Sequence, residues 1–169
     1  MASSSRDEIK FAVLGPVIAS RGDTELHLHN PQQRAFLALL VLRAGRPVSL
    51  DEAIAVLWPQ DPPASAINMI NRHVGQIRHL LEPELPSRVQ GRWLERGSGG
   101  FLLRTDAASS DLLQFRALVQ SAREARAIGD IATAATRFHT ALSLWTGTAA
   151  AGIPAESRAH PVFVALDHE

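Results

Sequence analysis

The chain of 169 residues contains no cysteine, and Lys10 is its only lysine. The absence of cysteine excludes disulfide bonds and zinc sites built from thiolates. The longest apolar run covers residues 36–42, which is far too short to span a membrane. No apolar segment of signal-peptide length follows the first six residues. These absences predict a soluble cytoplasmic protein whose positive charge is carried almost entirely by arginine.

The chain also lacks net charge, because 17 basic residues balance 17 acidic ones. The protein as a whole therefore has no long-range attraction for a polyanion. The charge is unevenly distributed, since residues 64–104 contain six arginines and three acids, whereas residues 105–169 contain five arginines and seven acids. A basic middle and an acidic C-terminal part predict two regions with different partners.

The first 30 residues predict a small antiparallel sheet. Strand candidates, rich in apolar and β-branched residues or alternating in polarity, cover residues 9–14, 17–18 and 25–28. His27 and His29 would point to one face of the last strand, which would allow a metal site. No third ligand lies within sequence reach, so we favour an exposed strand face as the explanation of the pair. We therefore predict no metal and no other cofactor.

Three helices and a hairpin follow. Asn30-Pro31 provides an N-cap and first helical residue, and Ser49 with Glu52 forms a capping box that opens a helix over residues 49–58. A third helix covers residues 64–81. Extended segments at 88–90, 93–96 and 101–104 surround the glycine-rich loop 97–100 and predict a hairpin. This order, with a tight connection at 59–63, predicts an α+β winged helix-turn-helix with an N-terminal sheet, three helices and a C-terminal hairpin wing.

The third helix has two different faces. Its apolar stripe consists of Ile67, Ile70, Val74, Ile77 and Leu81. The opposite face carries Asn68, Arg72, Gly75 and His79, and no acid occurs between residues 64 and 81. A polyanion with hydrogen-bonding base edges would select such a face. The alternative is an ordinary amphipathic helix.

Eight residues are candidates for DNA contact. Arg72, at the centre of the polar face, is suited to pair with guanine. The other residues of the face, which can read base edges or bind phosphate, are Asn68, Gln76 and His79. The residues on its flanks, which suit phosphate contact, are Asn71, His73 and Arg78. Arg96 either enters the minor groove from the hairpin or is a solvated arginine. No catalytic triad or phosphate loop is present in the sequence, so an enzyme is not predicted.

The second half predicts an all-α segment. A short polar linker at 105–110 leads to helices over residues 111–128 and 131–145, separated by Gly129-Asp130. Ala134 or Ala135 at the helix crossing suggests a hairpin of the tetratricopeptide kind. A third helix would come from residues 155–169, although Pro161 lies within it. One hairpin cannot bury its large apolar side chains, which are Leu112, Phe115, Leu118, Phe138, Leu142 and Trp145. We therefore expect it to pack against the first half.

Several motifs together resemble the Streptomyces antibiotic regulatory protein family. In the first half they are Phe11-Ala-Val-Leu-Gly-Pro16, Gln33-Arg-Ala-Phe-Leu-Ala-Leu-Leu40, Leu57-Trp-Pro, Asp61-Pro-Pro-Ala-Ser-Ala66, His73-Val-Gly-Gln-Ile-Arg78 and Gly100-Phe-Leu-Leu-Arg104. In the second half Phe115, Gly129-Asp130 and Ala141-Leu-Ser-Leu-Trp-Thr-Gly147 are similar to the bacterial transcriptional activator domain. Their order and spacing cover residues 9–147.

The resemblance implies an OmpR-type winged-helix DNA-binding domain over residues 8–104, followed by a partial bacterial transcriptional activator domain over 110–169. It implies an activator of antibiotic biosynthesis genes that binds tandem promoter repeats, pairs as a homodimer on DNA, and contacts RNA polymerase holoenzyme. The chain departs from the family in having Gln76 and His79 where arginines are usual, and in having Gly75 within the helix. The thin arginine count favours an alternative, a protein-interaction module with little DNA affinity. We also expect removal of residues 105–169 to spare DNA contact but abolish activation.

Overall fold

The computed structural model describes residues 8–86 and 89–169, which form two small antiparallel sheets and seven helices. The strands are β1 (Ile9–Ala12), β2 (Ile18–Arg21), β3 (Thr24–Leu26), β4 (Leu94–Gly97) and β5 (Gly100–Leu103). The helices are α1 (Pro31–Leu42), α2 (Leu50–Leu57), α3 (Ala66–Leu81), α4 (Asp111–Ala127), α5 (Ile131–Ser143), α6 (Ala155–Arg158) and α7 (Pro161–Leu166). Residues 1–6, which bear on the signal-peptide prediction, and Arg88 of the predicted segment 88–90 lie outside the described residues.

The first sheet confirms the predicted N-terminal meander. Its strands follow the order β1-β2-β3, with Phe11 opposite Ala19 and Ala19 opposite Leu26. The third strand ends before His27, so the two histidines lie just beyond it, exposed and in edge-to-face contact at 5.7 Å. No group of three potential metal ligands occurs among the residues that the structure describes.

Local capping signals fix where the first helices begin. The Asn30 side chain accepts a hydrogen bond from the Gln33 N–H at 2.8 Å, and Pro31 follows as the first residue of α1. Ser49 likewise accepts from the Glu52 N–H at 3.1 Å. Only this half of the predicted capping box forms, because the Glu52 carboxylate instead binds Arg43 at 2.7 Å.

The predicted third helix is α3, and its apolar stripe packs into the core. Ile70, Val74, Ile77 and Leu81 are buried. Ile67 was predicted on this stripe, but half of its surface (50%) is exposed, because it lies in the first turn at the margin of the stripe. The helix ends at Leu81, where Arg21 donates to the carbonyl oxygens of Leu80 and Leu81 at 3.0 and 2.9 Å. This contact caps the helix electrostatically as well as by hydrogen bonding.

The predicted hairpin forms from β4 and β5, beginning at Leu94, one residue later than Trp93. Gly100 has φ +123°, and a Cβ atom there would overlap the carbonyl oxygen of Val48. This close approach lets Val48 and Phe101 exchange two backbone hydrogen bonds, at 2.7 and 2.8 Å. The hairpin is therefore fixed to the segment that precedes α2.

The second half contains the two predicted long helices, α4 and α5, which pack against each other across Gly129 (φ +83°). Of the two alanines considered for the crossing, Ala134 is buried and Ala135 is exposed. Leu142 was predicted to face inward but is 66% exposed. The predicted third helix is two short ones, α6 and α7, because Pro161 has no N–H and starts a new helix.

The two halves share one core, which confirms that the second half packs against the first. Phe115, Ala141 and Phe163 belong to the same buried cluster as Phe11 and Leu14. Backbone hydrogen bonds also cross the boundary: Phe11 N–H to Ser109 O, Thr146 N–H to Leu14 O, Ala150 N–H to Val13 O, Ala151 N–H to Gly15 O, and Val17 N–H to Ala151 O, all between 2.7 and 3.0 Å. None of the described helices has the length and hydropathy required to cross a membrane.

Candidate nucleic-acid interface

The polar face of α3 is exposed along its length. Asn68, Arg72, Gly75 and His79 are all exposed, and they follow one another at steps of three or four residues. Among the described residues, Arg72 forms no salt bridge. Because the helix itself contains no acid, the guanidinium and amide groups of this face are available to an anionic or hydrogen-bonding partner.

Gln76 is half-buried beside this face and is held in place from α1. The buried Gln33 side chain donates from its Nε2 to the Gln76 Oε1 at 3.3 Å, while its own Oε1 accepts from the His29 N–H at 2.6 Å. Since the Gln76 oxygen is the acceptor in this contact, its NH₂ group can donate elsewhere. Sequence reasoning missed Gln33, because it lies between Gln32 and Arg34 in the polar first turn of α1, where an exposed side chain is expected.

Asn71 and Arg96 connect the helix to the hairpin. The Arg96 Nη1 donates to the Asn71 Oδ1 at 3.2 Å, and the guanidinium lies 5.7 Å from the centre of the Phe101 ring. The structure thus brings these two predicted residues together on one flank of the polar face. The half-buried Asn71 and the exposed Arg96 link α3 to β4.

Arg78 faces a different direction from the polar face. Its Nη2 donates to the Val89 carbonyl oxygen, and its guanidinium lies beside Gly91. Glu82 assists in the same region by accepting from the Arg92 N–H at 2.7 Å. Arg78 therefore holds the segment that follows α3, which reduces its capacity to bind phosphate. Arg92, which sequence reasoning did not single out, is exposed nearby.

His73 is separated from the other predicted residues. Only 4% of its surface is exposed, because it falls on the side of α3 that packs into the core. Burial lowers the pKa of His73 below its ordinary value, the charge of Arg72 lowers it further, and Gln76 opposes both effects. A neutral, buried imidazole is not positioned to meet a phosphate, so we remove His73 from the candidate surface.

The acids around the candidate surface are largely engaged. On the hairpin Glu95 forms a salt bridge with Arg104, and this hydrogen bond lowers the pKa of the Glu95 carboxyl. Arg104 is in turn neutralised by Glu95. The candidate surface is therefore defined by Asn68, Asn71, Arg72, Gln76, His79 and Arg96, with Gly75 between Arg72 and His79.

Comparisons with known proteins relate both halves to bacterial regulators. Residues 110–169 match the bacterial transcriptional activator domain. The chain is 37% identical over 151 residues to the regulatory protein AfsR of Streptomyces griseus, covering 89% of this chain and 15% of AfsR. It is 30% identical over 153 residues to the regulatory protein DnrI of Streptomyces peucetius, covering 89% of this chain and 56% of DnrI.

A solved structure shares the fold. It is Mycobacterium tuberculosis EmbR in complex with a low-affinity phosphopeptide, with a TM-score of 0.76 and 31% sequence identity. The match covers 84% of this chain and 37% of the EmbR chain. The fold, the helical half and these relatives make the chain similar to bacterial regulatory proteins. More narrowly, it belongs to the Streptomyces antibiotic regulatory protein family. The chain spans 15% of the length of AfsR and 56% of the length of DnrI.

Proposed function

We propose that this chain is a sequence-specific DNA-binding transcriptional activator, with a winged helix-turn-helix over residues 8–104 and a tetratricopeptide-like partial activator domain over 110–169. In this proposal α2 and α3 form the helix-turn-helix, α3 is the recognition helix, and the β4–β5 hairpin is the wing. The contact between Asn71 and Arg96 supports this arrangement, because it couples the helix to the hairpin at 3.2 Å. Family membership supports antibiotic biosynthesis genes as the targets.

The observation that carries the proposal is the exposed, acid-free face of α3. Arg72 lies at its centre and can form a bidentate pair with guanine, the commonest specific contact in the major groove. Asn68, one turn before Arg72, and His79, two turns after it, can read further base edges. Gln76, oriented by Gln33, and the wing residue Arg96 are suited to the phosphate backbone or the minor groove.

The number of cationic contacts is small. With Arg78 bound to Val89 and Arg104 bound to Glu95, Arg72 and Arg96 are the main arginines of the candidate surface. Since each neutralised phosphate contributes about −0.9 to the log–log salt slope, we expect a shallow slope for each protomer, no steeper than about −3 to −5. One protomer would then bind weakly, and high affinity would require a homodimer on tandem direct repeats.

We assign activation to the second half. Ile131 and Leu142 expose large apolar side chains on α5, and residues 105–169 carry more acids than arginines. Such a surface suits a protein partner, and RNA polymerase holoenzyme bound at the same promoter is the partner we propose. The activator would thus act at nucleoid DNA in the cytoplasm, without a membrane or a cofactor.

The test begins with selection of a preferred duplex from a pool that contains a randomised 24-base-pair region. The variant Arg72→Ala should weaken binding to the selected duplex by about 1–3 kcal/mol and blur the preference at one base pair. Arg123→Ala, which removes an exposed arginine from α4, is the matched control and should leave affinity unchanged. Binding is measured by fluorescence anisotropy over a series of salt concentrations.

Two results would contradict the proposal. Failure of the wild-type chain to enrich any duplex would favour the alternative, a protein-interaction module with little DNA affinity. Equal losses in Arg72→Ala and Arg123→Ala would show that charge, not the α3 face, governs binding. Activation is tested separately, by run-off transcription with RNA polymerase holoenzyme from a promoter that carries two copies of the selected repeat.

A further inference from the structure

Gly75 lies in the interior of α3, six residues from its last residue, Leu81. After proline, glycine is the least favourable residue in a helix interior, because it loses the most conformational freedom on folding. A glycine at such a position therefore calls for a reason, either in the fold or in what the helix contacts.

The fold supplies no such reason. Gly75 is not among the residues with positive φ, so its backbone conformation suits any residue. A Cβ atom built on it meets no described atom within 4 Å, whereas one on Gly15 would overlap Thr146 and one on Gly100 would overlap Val48. Packing thus requires glycine at positions 15 and 100 but not at 75.

The position of Gly75 on the helix supplies the reason. It is one turn after Arg72 and one turn before His79, on the same exposed face. The missing side chain leaves a notch in the middle of that face, and a depression of about 190 Å³ opens beside it towards Leu85 and Pro86. The main chain of α3 is therefore accessible from outside at Gly75, between the side chains that face a partner.

We propose that Gly75 is a specificity-determining residue, because its missing side chain lets DNA approach the α3 main chain closely enough for Arg72 to reach base edges. This inference rests on the proposed function. Glycine is the residue that allows close approach of a backbone to a ligand. A side chain at position 75 would keep the helix further out of the major groove, where phosphate contacts persist but base contacts lengthen.

The experiment compares Gly75→Ala and Gly75→Leu with the wild-type chain. Alanine should raise the melting temperature by about 2–4 °C, because it is a far better helix former in open space. Its affinity for the selected duplex should fall about tenfold, the size of one lost base contact, and leucine should cause a larger loss. Affinity for an unrelated duplex of the same length should stay unchanged. The control, Gly147→Ala, also adds a methyl group in open space but lies outside α3, and should bind like the wild type.

The outcomes separate this inference from the function on which it rests. If the wild-type chain selects no duplex, the proposed function fails and the inference fails with it. If the wild type binds its duplex and Gly75→Ala binds as tightly, the proposed function stands and the role of Gly75 is refuted. A lower melting temperature of Gly75→Ala would also overturn the inference, since the glycine would then serve the fold. Higher stability together with lost specificity is the combination that we expect.

Discussion

Replacement of Asp111 by alanine should weaken the whole chain, because its carboxylate joins the two halves. Asp111 is the first residue of α4, yet its oxygens accept the Val13 N–H at 3.0 Å and the Leu14 N–H at 2.9 Å, just beyond β1. Val13 and Leu14 are fully buried. Truncation of the carboxylate would therefore leave two donors at the centre of the molecule without an acceptor.

The size of the effect follows from two opposing terms. An unsatisfied buried donor costs about 1–3 kcal/mol, so two of them predict a loss of about 2–6 kcal/mol. Burial raises the pKa of Asp111 although backbone N–H groups of Leu14, Val13 and Leu112 oppose the shift, so holding the charged form there is itself costly. Removal of that charge offsets part of the loss. We expect the free energy of unfolding to fall by about 3 kcal/mol at pH 7.

The assay is urea unfolding followed by circular dichroism and tryptophan fluorescence. Asp111→Asn keeps one acceptor oxygen without the charge and should lose less than Asp111→Ala. Asp130→Ala is the control: Asp130 also accepts from one backbone N–H, that of Thr133 at 3.0 Å, but it is an exposed N-cap whose loss costs about 1 kcal/mol. The reasoning is refuted if Asp111→Ala costs no more than Asp130→Ala, or if the two halves unfold in separate transitions.

Three further predictions concern the same unfolding experiment. Because folding raises the pKa of Asp111 above 3.8, the native chain binds the Asp111 proton more tightly than the unfolded chain does. The contribution of Asp111 to the free energy of unfolding should therefore fall as pH rises from about 3.8 through the raised pKa. Asp111→Asn should lack this part of the pH dependence. Gly100→Ala should cost about 1–3 kcal/mol or more, because φ +123° and a neighbouring carbonyl exclude a side chain, whereas Gly147→Ala should be nearly neutral. Phe163→Ala should lower the free energy of unfolding by about 3–5 kcal/mol, because the ring is fully buried. The control is Val164→Ala, which changes an exposed neighbour, and equal stability of the two variants would contradict this prediction.

Local signals allowed most of the elements to be predicted. Asn30 and Ser49 cap α1 and α2 where the sequence indicated, since a capping bond involves residues only three apart. Asp130, predicted only to separate α4 from α5, also caps α5 by accepting from the Thr133 N–H. The interruption of the last helix is also local, because Pro161 can begin a helix but cannot continue one. Such features depend on the near neighbours of a residue, which the sequence displays directly.

The packing of the second half against the first was predicted, but which individual side chains that packing covers was not. His73 lies only one residue from Arg72, and whether its side of α3 is covered depends on the elements that pack there. Leu142 has an apolar side chain and a helical period that both predict burial, yet no described element covers it. Arg78 and Gln33 bind groups 11 and 43 residues away. Helical periodicity states which residues share a face, but the fold decides which faces are covered.

The shared core changes what removal of residues 105–169 should do. The sequence suggested that the shortened chain would keep its DNA contact, as an independent domain would. In the structure, β1 and the residues just after it form backbone hydrogen bonds to residues 109, 146 and 150, and Phe163 and Leu166 fill the same core as Phe11. Removal would expose this apolar surface to water, at about 25 cal/mol for each Å² uncovered, and would replace the hydrogen bonds by bonds to water, at about 0.5–1.5 kcal/mol each. Together these losses are comparable with the stability of a typical domain. We therefore expect the shortened chain to lose cooperative unfolding and DNA binding together. A sharp urea transition with intact binding to the selected duplex would show that the first half folds alone.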